Sequence, residues 1–115
     1  MGEKITITKF IEKKSKFYGS LYKITTQEEI QGILHITRKE HKKATHVCYA
    51  YRMEDEEVFK NDGEVGSPGK TLLGLLQEKE YDNHLLIVVR YYGGIKLGPG
   101  GVSRAFKQTA KNLLE

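Results

Sequence analysis

The sequence predicts an α+β fold: one sheet with helices packed on one face, in the order β-β-α-β-β-α-β-α. Three observations predict it. Two early segments, Lys4–Ile11 and Ser15–Ile24, alternate in character every second residue, the period of a strand with one buried face. Ile30, Ile33 and Leu34, and later Ala105, Phe106 and Ala110, recur at helical spacing. Between these helices, Leu85 to Val89 is an unbroken apolar run, the mark of a central strand buried on both faces.

The elements follow in order. Threonines and aromatics favour strands over Lys4–Ile11 and Ser15–Ile24, with Glu12–Lys14 turning between them. Thr25 or Thr26 caps a helix whose first turn carries Glu28 and Glu29, complementing the helix dipole, and which runs to about His41. Gly32 weakens that helix unless a neighbouring strand approaches closely there. Thr45–Met53 is a strong strand and Val58–Lys60 a weaker one. Asn61–Lys70, with three glycines and Pro68, reads as a loop. Leu72, Leu73, Leu75 and Leu76 form a short buried helix, and Leu85–Tyr92 the central strand. Gly93–Gly101 is a second loop, followed by a terminal helix over Val102–Leu114.

Size and composition bound the function. The chain has 115 residues, 38% hydrophobic and 30% charged, enough for one core without disulfides or a structural metal. Its apolar residues fall in organised runs, which excludes a disordered chain. The net charge of +4, from 19 basic and 15 acidic residues, suits a polyanion or an acidic protein surface without demanding either. Cys48 is the only cysteine, so no internal disulfide forms; its place in an alternating strand makes it a buried structural thiol. No segment has the length of a membrane span, and no apolar signal stretch opens the chain. The cytoplasm is the expected compartment.

Two segments imitate nucleotide-binding loops. Glu64–Thr71 reads E-V-G-S-P-G-K-T, one residue short of a phosphate loop. A carboxylate stands where that loop needs its first glycine and would oppose the phosphates. Gly98 and Gly100 begin a dinucleotide fingerprint, but Ser103 takes the place of its last glycine. No cofactor is therefore expected. The glycines Gly93, Gly94, Gly98, Gly100 and Gly101 let the chain turn sharply after a buried strand. The same loop feeds a helix N-terminus, whose free N–H groups attract phosphate or carboxylate, with Lys96 and Arg104 adding positive charge. Both readings stay open.

His46, with Asp62 and Glu64, is a candidate for a His–carboxylate pair that moves protons. No nucleophile is implied, and a hydrogen-bonded structural histidine is the competing reading. His35, His41 and His84 lack metal-site spacing, so no metal is expected. Short basic clusters at Lys13–Lys16 and Arg38–Lys43, and tyrosine pairs Tyr49/Tyr51 and Tyr91/Tyr92, carry a weak RNA-binding pattern.

Four stretches occur in one order along the chain: K-S-K-F-Y-G (Lys14–Gly19), A-T-H-V-C-Y-A-Y-R (Ala44–Arg52), N-D-G-E (Asn61–Glu64) and V-V-R-Y-Y-G-G-I-K-L-G-P-G-G (Val88–Gly101). Together they resemble the Impact N-terminal family, also called the YigZ-type family. The resemblance implies a fold like the second domain of ribosomal protein S-five, a mixed sheet with helices on one side. It also implies a cytosolic role linked to translation. Eukaryotic members restrain a stress-responsive kinase that acts on a translation initiation factor, by competing for that kinase's ribosome-associated activator; some bind monomeric actin. Bacterial members are suspected of binding nucleic acid. Residues 1–115 read as a single Impact-type domain, with neither the RWD domain of eukaryotic members nor the ferredoxin-like domain of bacterial ones.

The expected function is a non-enzymatic, translation-linked regulatory or ribosome-associated binding domain. Its surface would join His46, Asp62, Glu64, Lys96 and Arg104 through the two glycine loops. The alternatives are an RNA-binding module of the translation machinery, or a small hydrolase or transferase using the His–carboxylate pair.

Overall fold

The computed structural model describes residues 2–114, the side chain of Ile5 excepted. Strands β1 (Glu3–Glu12) and β2 (Ser15–Lys23) form an antiparallel hairpin. Helix α1 (Gln27–Glu40) follows, and then strands β3 (His46–Met53) and β4 (Glu56–Lys60) form a second hairpin. Helix α2 (Pro68–Glu78), strand β5 (His84–Tyr91) and helix α3 (Gly98–Lys111) complete the chain. The α+β class and the element order are those the sequence predicts. Among the described residues no helix is long and apolar enough to cross a membrane.

The sheet order is β1-β2-β5-β3-β4, and every pairing is antiparallel. The mixed sheet implied by the resemblance is therefore corrected. Strands β2 and β3 do run parallel to each other, as a strand–helix–strand crossover demands, but β5 inserts between them and pairs antiparallel with both. The same holds for β4 and β5, which β3 separates. Each crossover skips one strand, so parallel direction never becomes parallel pairing.

Helices on one face are corrected too. Leu86 and Val88 of β5 pack with Phe17, Cys48 and Ala50 beneath Leu72, Leu76, Val102, Phe106 and Ala110 of α2 and α3. The alternate residues Leu85, Ile87 and Val89 pack with Val47, Tyr51 and Met53 beneath Ile30, Ile33 and Leu34 of α1. A central strand that is apolar on both sides needs a cover on both sides, and α1 supplies the second one.

Local chemistry sets the helix ends. Thr26 caps α1: its hydroxyl accepts the Glu29 N–H at 3.1 Å, and the Glu29 carboxylate accepts the Thr26 N–H at 3.0 Å, a reciprocal capping box. Helices α2 and α3 begin earlier than expected, at Pro68 and Gly98, which shortens both glycine loops. Proline is tolerated in a first turn, where its missing N–H would have no helical partner anyway. In α2 the Asn61 side-chain oxygen reaches back to accept the Gly69 N–H at 2.8 Å. No strand approaches Gly32, where an added Cβ would meet nothing.

Candidate functional site

Arg90 closes the apolar run of β5 and is 5% exposed. A guanidinium this deep needs a carboxylate. Glu64 provides it from the loop after β4: Nη1 donates to Oε1 at 3.1 Å and to Oε2 at 3.0 Å. Nη2 donates to the Ser15 hydroxyl at 3.3 Å, and Nε, also buried, has no partner. The guanidinium lies between the rings of Phe17 and Tyr92, 5.7 and 5.6 Å from their centroids, a geometry that adds cation–π attraction.

His46 pairs with Arg90 across the β3–β5 ladder and points to the same side. Its Nδ1 lies 2.8 Å from the Asp62 carbonyl oxygen. A carbonyl only accepts, so Nδ1 carries the proton and Nε2 is turned toward Glu64 Oε2, 3.6 Å away. Asp62 sits at φ 52°, and its carboxylate accepts the Val47 N–H at 2.7 Å. The loop is tied down a third time by the Cys48 thiol, which donates to the Asn61 carbonyl at 3.1 Å. Burial, with the Glu64 and Asp62 charges adding to it, pushes the Cys48 thiol well above the usual range.

The two glycine loops meet. A Cβ on Gly66 would collide with the carbonyl oxygen of Pro99, and the hydroxyls of Thr71 and Ser103 lie 3.3 Å apart between α2 and α3. Beside this contact opens a cavity of about 410 Å³, walled by Thr45, His46, Arg90, Tyr92, Lys96 and the start of α3. No side chain caps α3, and its first turn has no acid.

Of the expected site residues, His46, Asp62 and Glu64 are brought together, and Lys96 and Gly98 join His46 on the cavity wall. Arg104 is elsewhere: its guanidinium folds back toward Gly100, and with Gly101 it lines a separate depression beside Phe10 and Lys13. Gly93 packs on the Lys14 carbonyl, while Gly94 is exposed at φ 94°. Arg90 and Ser15 were not picked out in the sequence. An arginine ending an otherwise apolar, doubly buried strand is the signal that could have found the first. For chemistry, the arrangement lacks an activated nucleophile among the described residues near His46. Ser103 is turned to Thr71, and the Cys48 thiol is held protonated against a carbonyl.

A sequence model of the Impact N-terminal domain matches residues 13–114. This chain belongs to the Impact N-terminal family. The Impact family member YvyE of Bacillus subtilis is 36% identical over 106 residues, covering 89% of this chain and 49% of the relative. Protein IMPACT of Oryctolagus cuniculus is 33% identical over 111 residues, covering 90% of this chain and 34% of the relative. The chain thus spans about half, or less, of these Impact relatives. Among solved structures, a hypothetical protein matches with TM-score 0.86 and 31% identity over 92% of this chain and 54% of its own. The two-domain translational regulator Yih1 matches with TM-score 0.59 and 23% identity over 96% of this chain and 45% of its own, a likeness of fold.

Proposed function

We propose that this chain is a regulatory binding domain of the translation machinery, acting in the cytoplasm by docking a protein partner at the cavity beside His46 and Lys96. One observation carries the reading. The four stretches that bear the Impact resemblance lie far apart in sequence, yet all converge on Arg90. Ser15 and Glu64 bind its guanidinium, His46 lies beside it across the ladder, and Tyr92 to Pro99 continue from it into the cavity wall. Their polar groups are tied to one another and leave no nucleophile poised, which favours a built binding surface over a hydrolase. Kinship with the Impact proteins, and a fold shared with a translational regulator, supply the translation link. By that kinship the partner is the ribosome-associated activator of the stress kinase, with actin a second protein candidate.

Affinity capture from cell extract, with and without ribonuclease, tests it. Ribosomal or activator peptides retained after ribonuclease, and lost with His46→Ala or Lys96→Ala, are the expected result. Capture of no translation component by the folded chain would refute the reading.

A second reading, RNA binding, is favoured by one depression of about 620 Å³ near β2. It gathers Lys14, Lys16, Tyr18, His41, Tyr91 and Tyr92, with Glu40 at its edge, joining the first basic cluster to one of the tyrosine pairs. Lysines to meet phosphates beside rings to stack bases are the requirements of single-strand binding. Its affinity would fall steeply with added salt, and capture abolished by ribonuclease would favour it over the protein partner.

A further inference from the structure

The start of α3 combines features that individually mean little. It is the N-terminus of a 14-residue helix with no side-chain cap and no acid in its first turn. The N–H groups of Leu97 and Gly98, which open that turn on the cavity wall, have no intrahelical acceptor, and the helix dipole is positive there. Gly98, at φ 72°, brings the backbone to this end in a left-handed conformation that suits glycine. Lys96, exposed, stands on the same wall.

A second, independent feature lies across the cavity. Arg90 is more than nine-tenths buried and also walls it, and its Nε–H has no partner. An orphaned donor on a buried guanidinium is costly, so a native structure that keeps one asks for an acceptor. Glu64 already neutralises the opposite edge of that guanidinium. The attraction for an anion therefore comes from Lys96, the helix end and the remaining Nε–H. His46 adds charge only when protonated. Apart from Thr45, whose hydroxyl accepts the Tyr92 N–H, the rest of the wall is apolar or aromatic: Val65, Tyr92, Leu97, Pro99 and Val102. Such a wall suits an oxyanion carried on an apolar or aromatic group.

We propose that this cavity binds a phosphomonoester, its oxygens between Lys96 and the first turn of α3, the group that bears it against Tyr92. The proposal rests on the reading above that this cavity is the docking site, and it names the chemistry a partner would present there.

The probe is phenyl phosphate, added to 15N-labelled protein at constant ionic strength, with phenyl acetate as the uncharged control. The expected result is saturable shifts of the Leu97 and Gly98 amides and of the Arg90 Nε–H, with none from phenyl acetate. Lys96→Ala, at an exposed position, should weaken binding roughly three- to tenfold with an unchanged melting temperature. Inorganic phosphate should move the same amides with lower affinity, because it lacks the ring.

Shifts that never saturate, that appear on lysines remote from the cavity, or that Lys96→Ala leaves unaltered would overturn the proposal. The two readings fail separately. Capture of a partner lost on Lys96→Ala, with no phosphate-induced shifts, ends the phosphomonoester and leaves the docking site standing. Phosphate shifts without any capture of a translation component do the reverse.

Discussion

Replacing Glu64 by leucine isolates the feature around which this region is built. The Glu64 and Arg90 side chains are 3% and 6% exposed, so the substitution leaves a guanidinium in the interior with only the Ser15 hydroxyl as partner. Breaking a buried ion pair from one side costs about 3–5 kcal/mol, most of it the penalty on the charge left behind. Unfolding entropy of about 2.1 cal/mol/K per residue gives about 0.24 kcal/mol/K for 115 residues. The melting temperature should then fall by about 12–20 °C.

Two further variants separate this cause from ordinary loss of packing. Arg90→Met combined with Glu64→Leu removes both charges, keeps most of the volume and lets Phe17 and Tyr92 close on an apolar side chain. Most of the lost stability should return, because apolar replacements of buried pairs are often neutral. Added salt should leave the wild-type pair nearly unaffected, since little solvent reaches it. Thermal unfolding followed by circular dichroism, checked by urea titration, reads all of these. The reasoning is refuted if Glu64→Leu costs less than about 1 kcal/mol, or if the double variant is no more stable than Glu64→Leu alone.

Four smaller expectations follow. Gly32→Ala in α1, where an added Cβ meets nothing, should stabilise the fold by about 0.5–1 kcal/mol, raising the melting temperature by about 2–4 °C. Gly93→Ala should instead lower the urea midpoint by an amount equivalent to about 1–3 kcal/mol, because its methyl group collides with the Lys14 backbone carbonyl. Cys48 is buried and its thiol is held protonated, so iodoacetamide near pH 8 should leave native protein unlabelled and modify it only after unfolding. Glu29 has its pKa lowered, first by the Thr25 hydroxyl and then by the Thr25 N–H. Its stabilising effect is therefore complete above the ordinary glutamate range and is lost as pH falls through the lowered value. An acid titration of wild type against Glu29→Gln should show the two stabilities converging at low pH.

The parts of the fold legible in the sequence are those that local chemistry decides. The Thr26 cap needs only Glu29 three residues on, and the β1–β2 hairpin needs only alternation and a turn. What was not legible depends on distant partners. Nothing local to β2, α1 and β3 says that β5, which begins 31 residues beyond the end of β3, will slide between the two strands and turn a parallel relation into two antiparallel pairings. The helix starts were missed for a simpler reason. Pro68, before Gly69, and Pro99, between Gly98 and Gly100, look like loop residues, whereas a first turn accepts proline readily. At the site, His46, Asp62 and Glu64 could be grouped from neighbouring motifs, but Arg104 could not be excluded. Its guanidinium lies back along α3 against Gly100 and, with Gly101, faces another depression.

The imitation of two nucleotide loops now has a physical account that needs no nucleotide. A phosphate loop uses glycine so that backbone N–H groups can face phosphate oxygens at close range. Here close range is needed for protein. Gly69 packs on the Lys60 carbonyl and gives its N–H to Asn61, Gly66 packs on the Pro99 carbonyl, and Gly93 on the Lys14 carbonyl. These three contacts fasten the loop after β4 to β4's end and to α3, and fasten the segment after β5 to the β1–β2 turn. They position Glu64 under Arg90, and with it His46. In the first loop, then, the close approach that glycine allows, and the Gly69 N–H with it, serve the fold. The start of α3 differs, because no side chain caps it by a hydrogen bond and a buried guanidinium nearby keeps a donor free. Of the two motifs, it is thus the dinucleotide-like one whose backbone still has hydrogen bonds to offer.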